Sequence, residues 1–457
     1  MINLDTIILA AGKGARMKSD LPKVLHCIGG KPLISHVLLA AQALEQQSGF
    51  HIVVGHGAQR LKQSLEQQAG INFVEQTQQL GTGHAVQQAL PHLKNDSIAL
   101  ILYGDVPLIQ PQTLKQLIDK VDHNTLALLT VNLQNPTGYG RIIRNAQGRV
   151  KSIVEQKDAS TEELKIQEIN TGIMAVNTSQ LQRWLPQLSN DNTQAEYYLT
   201  DIIAMAVAEG VNIITHQPSE QWEVMGINNR QQQAQLERIY QYNCAQMLME
   251  AGVSLLDPQR FDCRGQLRCG ADVLIDINCI FEGENTIGNN VVIGSNCVIK
   301  NATIGDNTLI HANSIIENST VKSGCTIGPF ARLRPGSQLA DGAKVGNFVE
   351  TKKASIGKGS KINHLSYVGD AVLGENVNIG AGTITCNYDG VNKFQTSIGN
   401  DVFVGSNTAL VAPVTIEDGA TLGAGSTINK NVKQDTLALA RSPQKTIPGW
   451  QKPTKKN

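Results

Sequence analysis

Between Thr396 and Lys430 the chain reads TSIGND, VFVGSN, TALVAP, VTIEDG, ATLGAG and STINK, and the third residue of every group is aliphatic: Ile398, Val404, Leu410, Ile416, Leu422 and Ile428. A period of six matches neither the turn of an α-helix nor the alternation of an ordinary strand. It matches a chain wound through short strands, in which one aliphatic side chain in six enters a common core. Gly, Asn or Asp then takes the turn conformation that a bulky residue resists. The same beat runs through Ile287, Ile293 and Ile299, and aliphatic-Gly pairs recur at Ile327-Gly328, Val345-Gly346, Ile356-Gly357 and Ile379-Gly380. A single pair carries no weight, but a train across about 170 residues predicts a parallel β-helix. Three faces of six make a coil of about 18 residues, hence roughly ten coils. Flat flanks of this length call for caps or partners, so oligomerisation through the prism faces is expected.

The beat fails between Ile384 and Ile398, where TCNYDGVNKF spans Thr385 to Phe394, and again at Ala331-Arg332-Leu333-Arg334-Pro335-Gly336. Interruptions of a solenoid are where side chains leave the repeat and become available for binding.

Toward the N-terminus, residues 230–251 carry Leu236, Tyr240, Cys244 and Leu248 at intervals of four on a Gln-rich background, which predicts one amphipathic helix acting as a connector. Before it, short aliphatic runs alternate with helical patterns. Strands are expected at Thr6 to Leu9, His51 to Val54, Ile98 to Tyr103, Leu126 to Val131, Ile173 to Val176 and Ile213 to His216, with helices such as Pro32 to Gln46 and Thr113 to Val121 between them. Such alternation predicts a doubly wound, Rossmann-like α/β domain whose ligands lie beyond the carboxyl ends of a mostly parallel sheet. The expected domains are therefore 1–229, a helical linker at 230–250, and a β-helix with a basic tail at 251–457.

Composition narrows the function. Lys plus Arg and Asp plus Glu both number 39 in 457 residues, so no overall basic field exists to hold nucleic acid. No apolar run is long enough to cross a membrane, and Asp5 interrupts the first apolar stretch, unlike a secretory signal. A soluble, cytoplasmic protein is expected. The eight cysteines include no CxxC pair, which points to buried free thiols rather than zinc or disulfides.

The first strand ends in Leu9-Ala10-Ala11-Gly12-Lys13-Gly14-Ala15-Arg16-Met17, followed by Leu21-Pro22-Lys23. It lacks the GxxxxGK[ST] of a P-loop, and Met17 stands where a dinucleotide fingerprint needs its third glycine. What remains is a small-residue turn whose backbone can approach a base or phosphate, with Arg16 and Lys23 supplying charge. Asp105 closes the apolar strand ending in Tyr103-Gly104, and a carboxylate there suits hard Mg²⁺. On its own it reads equally as a helix cap or turn residue.

LAAGKGxRM followed by LPK resembles the signature of sugar-nucleotide pyrophosphorylases, as do Leu80-Gly81-Thr82-Gly83, Tyr103-Gly104-Asp105-Val106-Pro107 and Gly138-Tyr139-Gly140-Arg141. With Asn387-Tyr388-Asp389-Gly390 in a hexapeptide domain, the whole chain resembles the bacterial bifunctional family of N-acetylglucosamine-1-phosphate uridylyltransferase and glucosamine-1-phosphate acetyltransferase. Ala15 departs from the family's usual Thr or Ser, which removes one hydroxyl contact.

The resemblance implies an α/β plus all-β protein in which a nucleotidyltransferase domain precedes a left-handed parallel β-helix. It implies acetylation of glucosamine 1-phosphate by acetyl-CoA, then Mg²⁺-dependent transfer from UTP to give UDP-N-acetylglucosamine, in a homotrimer. Leu9, Ala10, Ala11, Gly12, Arg16, Lys23, Gln76, Gly81, Thr82, Tyr103 and Gly104 would then hold the nucleotide, and Gly140, Glu155 and Asn170 the sugar, with Asp105 and Asn228 on the metal. In the second half it implies His364 as general base, Arg334, Lys352, Tyr367 and Asn378 around the sugar phosphate, and Ala381, Asn387, Tyr388, Ser406, Ala424 and Arg441 on acetyl-CoA. Two alternatives stay open: a single-activity pyrophosphorylase whose β-helix serves assembly, and a non-catalytic solenoid scaffold with a degenerate nucleotide domain.

Overall fold

The computed structural model describes residues 3–45 and 47–455, so Gln46 of the expected first helix and Lys456 of the basic tail lie outside the described residues. The chain divides into two compact units, Met1–Tyr240 and Gln241–Asn457.

The first unit is built on nine strands: β1 (Asn3–Ala10), β2 (Gln47–Val54), β3 (Ile71–Glu75), β4 (Ser97–Tyr103), β5 (Thr125–Asn132), β6 (Arg141–Arg144), β7 (Val150–Val154), β8 (Glu168–Asn177) and β9 (Asn212–His216). The main sheet runs β9-β5-β8-β4-β1-β2-β3, with the β6–β7 hairpin attached through β8. Neighbours are parallel except β8, which lies antiparallel between β4 and β5. All six expected strands are present. The three without a strong signal, β3, β6 and β7, are short and partly exposed, so they lack the continuous apolar run of a central parallel strand. Ile8 and Leu100 face one apolar cluster and Ile7 and Ile101 the other, so both faces of the sheet are covered and polar chemistry is pushed to its strand ends.

A helix spans Arg230–Glu250, where the four-residue apolar interval predicts one. Leu236 packs with Ile28 and Leu33 of the first unit, and Cys244 and Leu248 lie against the core of the second.

The second unit is the expected parallel β-helix. On one face, eleven two- to four-residue strands stack in register, pairing Ile275 with Ile293, Ile293 with Ile310, Ile310 with Ile327 and Ile327 with Val345. Ile398, Val404, Leu410, Ile416, Leu422 and Ile428 are all buried in its core. Between Ile275 and Ile379 rungs recur every 17 or 18 positions, whereas Ile379 pairs with Val404, 25 positions on, and the end rungs differ, Leu255 pairing with Ile275 and Leu422 with Ala438. The surplus chain is the TCNYDGVNKF segment, which forms a small antiparallel hairpin closed by Tyr388 and Lys393.

At the corners, left-handed backbone falls mainly on Asn, Asp and Gly, as expected, including Asn296, Asn313, Asn407 and Gly425. Lys353 (φ 44°) departs singly from this rule, and one corner departs from it repeatedly. Phe330 (φ 54°), Phe348 (φ 56°) and Leu365 (φ 48°) hold the same conformation on successive coils and are 50%, 55% and 61% exposed. The expectation of uniformly buried thiols is also corrected: Cys263, Cys279, Cys297 and Cys325 are buried, whereas Cys27 is exposed, because only residues facing the β-helix core are shielded by every coil.

Candidate functional sites

A cleft of about 560 Å³ opens at the carboxyl ends of β1 and β4. Ten expected residues line it: Leu9, Ala10, Ala11, Gly12, Lys23, Gln76, Gly81, Thr82, Tyr103 and Asp105. The cleft exists because the chain leaves both strands through small-residue turns. Gly14 has φ +62°, and a Cβ there would lie 2.8 Å from the Lys23 Cβ, so its bare backbone lets Lys23 fold back over the turn.

The Lys23 ammonium donates to the Asp105 carboxylate and to Asn228 Oδ1 at 3.1 Å, and Arg16 reaches the same Asn228 oxygen at 3.0 Å. Lys23 and Asp105 are only 16% and 15% exposed, so their charges act in a partly desolvated setting. Two oxygens from distant segments therefore converge on a positive charge. Carboxylate and amide oxygens without thiolate or imidazole are the donor set of a hard cation such as Mg²⁺, and two protein ligands leave its other positions to water and phosphate.

Gly140, Glu155 and Asn170 form a second cluster, outside the cleft lining. The Asn170 N–H donates to the Gly140 carbonyl at 2.9 Å, and Asn170 Oδ1 accepts from Gly172 N–H at 2.9 Å. Glu155 accepts from the Thr200 hydroxyl at 3.0 Å, and burial, more than its acidic neighbours Asp201, Asp158 and Glu196, raises its pKa above the ordinary carboxyl value. Tyr103 lies between the two clusters. Burial first, then the Glu155 and Asp105 carboxylates, push its phenol upward, so it stays a protonated donor. Lys13 of the signature turn also lines the cleft, as do Gln79 and Glu196, which nothing in their own sequence context marks.

In the β-helix, the residue just before each left-handed corner forms a column over successive coils: Asn347, His364, Ala381, Ser406 and Ala424, preceding Phe348, Leu365, Gly382, Asn407 and Gly425. Asn407 N–H bonds to the Ala381 carbonyl at 2.7 Å and Gly425 N–H to that of Ser406 at 2.8 Å, which locks the column together. At Gly405 a Cβ would meet Ala424 N at 2.5 Å, so only glycine permits this spacing of coils. Arg441 donates to the Ala424 carbonyl at 2.8 Å at the column's end.

Exposed His364 has its Nδ1 2.7 Å from Asn347 Oδ1 on the preceding coil, a pairing set by the strand register Asn347 to His364. Because an amide oxygen only accepts, Nδ1 is the donor, and in the neutral ring this leaves Nε2 as the acceptor. Asn378 lies one coil further on the same face. Lys352 and Tyr367 belong to strands of the adjoining sheet, and Arg334 directly follows one, Arg332–Leu333. Arg334 pairs with Glu350 at 2.7 Å, and the Lys352 ammonium is held below its ordinary value by Lys393, with Arg334 adding to the effect. Three cations thus crowd one exposed spot. Asn387 donates to the Asp370 carboxylate, which ties the hairpin to the strand that carries Tyr367. Asn347, Glu350 and Lys393 were not legible beforehand, since each gains meaning only from a partner on another coil.

A mononucleotide-type α/β cleft joined to a hexapeptide β-helix defines a nucleotidyltransferase fused to a hexapeptide transferase. Residues 6–158 match the MobA-like NTP transferase domain, 264–347 the GMPPB C-terminal domain, and 395–430 the bacterial transferase hexapeptide with six repeats. The chain is 58% identical to the bifunctional protein GlmU of Marinobacter nauticus, covering 100% of both chains. It is 60% identical to those of Cellvibrio japonicus and Saccharophagus degradans, covering 99% of itself and 100% of each relative. The chain belongs to the bifunctional GlmU family. No helix among the described residues is long and apolar enough to cross a membrane.

Proposed function

We propose that the chain acetylates glucosamine 1-phosphate with acetyl-CoA at the β-helix and then joins the resulting N-acetylglucosamine 1-phosphate to UTP in the α/β cleft, releasing pyrophosphate. The observation that carries this reading is that each half of one chain holds its own assembled set of groups: Lys23, Asp105 and Asn228 in the first, and His364, Asn347 and the Arg334, Lys352 and Lys393 cations in the second.

In acetyl transfer the amine nitrogen attacks the thioester carbonyl carbon, the amine proton goes to His364 Nε2, and as the C–S bond breaks that proton passes to the departing coenzyme A sulfur, which leaves as the thiol and restores the neutral imidazole. Asn347 holds the tautomer that makes Nε2 the acceptor and stabilises the imidazolium that forms. Lys352 and Lys393 repel each other, with Arg334 nearby in its pair with Glu350, so a sugar phosphate entering between them relieves that repulsion. Tyr367 and Asn378 orient the sugar, and the hairpin Asn387 and Tyr388 lies beside the thioester. The column Ala381, Ser406, Ala424 and Arg441 forms the wall along which coenzyme A lies.

In uridylyl transfer an oxygen of the sugar phosphate attacks the α-phosphorus of UTP in line as the bond to pyrophosphate breaks, so positioning and charge neutralisation do the catalysis. Asp105 and Asn228 would hold Mg²⁺, which supplies further charge neutralisation on the phosphates. Lys23 and Arg16 place positive charge at the same end of the cleft, and the turn Leu9 to Gly12 offers backbone N–H groups. Gln76, Gly81 and Thr82 take the base and ribose, Tyr103 and Gly104 form the floor, and Gly140, Glu155 and Asn170 orient the sugar.

The homotrimer belongs to the same reading. Bulky residues in left-handed backbone cost roughly 1–2 kcal/mol each, and Phe330, Phe348 and Leu365 expose their apolar surface as well. Burial against another copy would offset both costs beside His364. A cytoplasmic location follows from the substrates proposed and is checked by fractionation. The deciding experiment is a coupled assay of the purified chain with glucosamine 1-phosphate, acetyl-CoA, UTP and Mg²⁺. Thiol release should need only the first two, pyrophosphate release should need all four, and pyrophosphate without acetyl-CoA would sink the proposed order.

A further inference from the structure

Gln76 is buried, 3% exposed, yet it lines the nucleotide cleft, so its amide has a fixed orientation that any ligand must accept. Its Nε2 lies 3.1 Å from the Gly81 carbonyl and 3.1 Å from His84 Nδ1. A primary amide nitrogen has two hydrogens, and both are committed. His84 Nε2 in turn lies 3.2 Å from the Gln88 side-chain amide.

Proton counting settles the roles. A neutral imidazole offers one acceptor nitrogen, so it cannot accept from two amide nitrogens. The Gly81 carbonyl, which only accepts, holds the buried Gln76 nitrogen at 3.1 Å, a closer contact than the 3.4 Å between the Gln88 nitrogen and the His84 carbonyl. His84 Nδ1 is therefore the acceptor, Nε2 carries the proton, and the partly exposed Gln88 turns its oxygen to meet it. Reversing Gln76 would set its oxygen against the Gly81 carbonyl oxygen.

We infer that His84 is a positioning residue that fixes Gln76 with its oxygen toward the ligand, so that the cleft selects a base with an imide N–H. This rests on the assignment of the Gln76 end of the cleft to the base of UTP. Gln76 Oε1 is left as an acceptor, and the Gly81 N–H, which donates to no acceptor among the described residues, supplies the adjacent donor. An acceptor beside a donor matches the N3–H and neighbouring carbonyl of uracil or thymine. Cytosine presents a bare N3 lone pair to the same acceptor and is rejected by repulsion and a lost hydrogen bond. The step missing from a direct view of the cleft is that His84 does not line it.

The test measures kcat/KM for UTP, CTP and dTTP with N-acetylglucosamine 1-phosphate, using the full-length protein and its His84→Leu, His84→Gln, His84→Asn and Gln76→Ala variants. The parent should prefer UTP to CTP. His84→Leu should narrow that preference roughly tenfold while leaving UTP against dTTP unchanged, since both carry the imide. Asparagine places an oxygen near the Nδ1 position and should restore the preference; glutamine displaces its polar end and should not. Should the leucine variant fail to fold, the asparagine and glutamine pair decides. A preference that drops in Gln76→Ala but in no His84 variant overturns the inference alone. An unchanged preference in Gln76→Ala overturns the placement of the base. Equal losses for all three nucleotides in both His84→Asn and His84→Gln, or a parent blind to UTP over CTP, overturn the inference.

Discussion

The two halves solve the problem of holding a phosphorylated sugar in opposite ways. In the α/β unit, Lys23 and Asp105 are mostly buried at the ends of a sheet that is covered on both faces, and the walls of the cleft come from the same chain. On the β-helix, Arg334 and Glu350 are 33% and 35% exposed and His364 stands on the open surface. A doubly wound sheet makes concavity from its own crossovers, whereas a solenoid spends its inward residues on a narrow core and has only flat flanks to display. The difference teaches that the first centre can be complete in one chain, and that the second calls for cover.

The sharpest break between the halves is His364→Ala. It should lower acetyl transfer by roughly 10²–10⁴-fold and leave uridylyl transfer alone; an unchanged rate of thiol release would remove the proton-acceptor role. The mirror experiment, Asp105→Ala, should cost uridylyl transfer at least about 10²–10³-fold with acetyl transfer intact. Retained pyrophosphate formation would end the metal assignment. A lesser effect is expected of Asn347→Ala, a loss of about 10–100-fold in acetyl transfer. Its acid limb on a pH–rate plot should move as well, which a purely structural defect would not produce.

If the strained corner serves as an interface, Phe348→Asn should weaken assembly, seen as a mass shift toward the single chain on dilution in light scattering. Acetyl transfer should decline with it and uridylyl transfer should not. A trimer unaffected by that change, and by the same change at Leu365, would contradict the role given to the corner.

The smallest expected effect concerns Glu155, whose pKa is raised in the folded protein by burial. A group that binds its proton more tightly when folded loses stability as pH rises from its ordinary value through the folded one. Glu155→Gln should therefore raise the melting temperature of the α/β unit at pH 7 by a few degrees. The gain should vanish below about pH 4.5, the ordinary value, where both forms carry the proton. A variant equally stabilised at all pH values would contradict the burial argument.

Much of the architecture was legible because aliphatic residues at intervals of six report a core directly, and Asp105 at the end of an unbroken apolar run reports an edge. The eleventh rung and the exact shape of the TCNYDGVNKF hairpin were not legible, since rung spacing is 17 or 18 positions through the middle, jumps to 25 at the hairpin and is irregular at both end rungs, Leu255 to Ile275 and Leu422 to Ala438. Short strands with exposed residues, β3, β6 and β7, gave too little contrast to stand out.

What the amino-acid order determined by itself was which residues go inside: hydrophobic period is a local property, and burial follows from it along the chain. It also marked Lys23, Asp105 and His364 as chemically apt. Only the tertiary structure decided which outward residues meet, because Asn347 reaches His364, Lys393 reaches Lys352 and His84 reaches Gln76 through coil stacking and loop closure. Those distances depend on the register of separate segments, and no spacing within one segment encodes them.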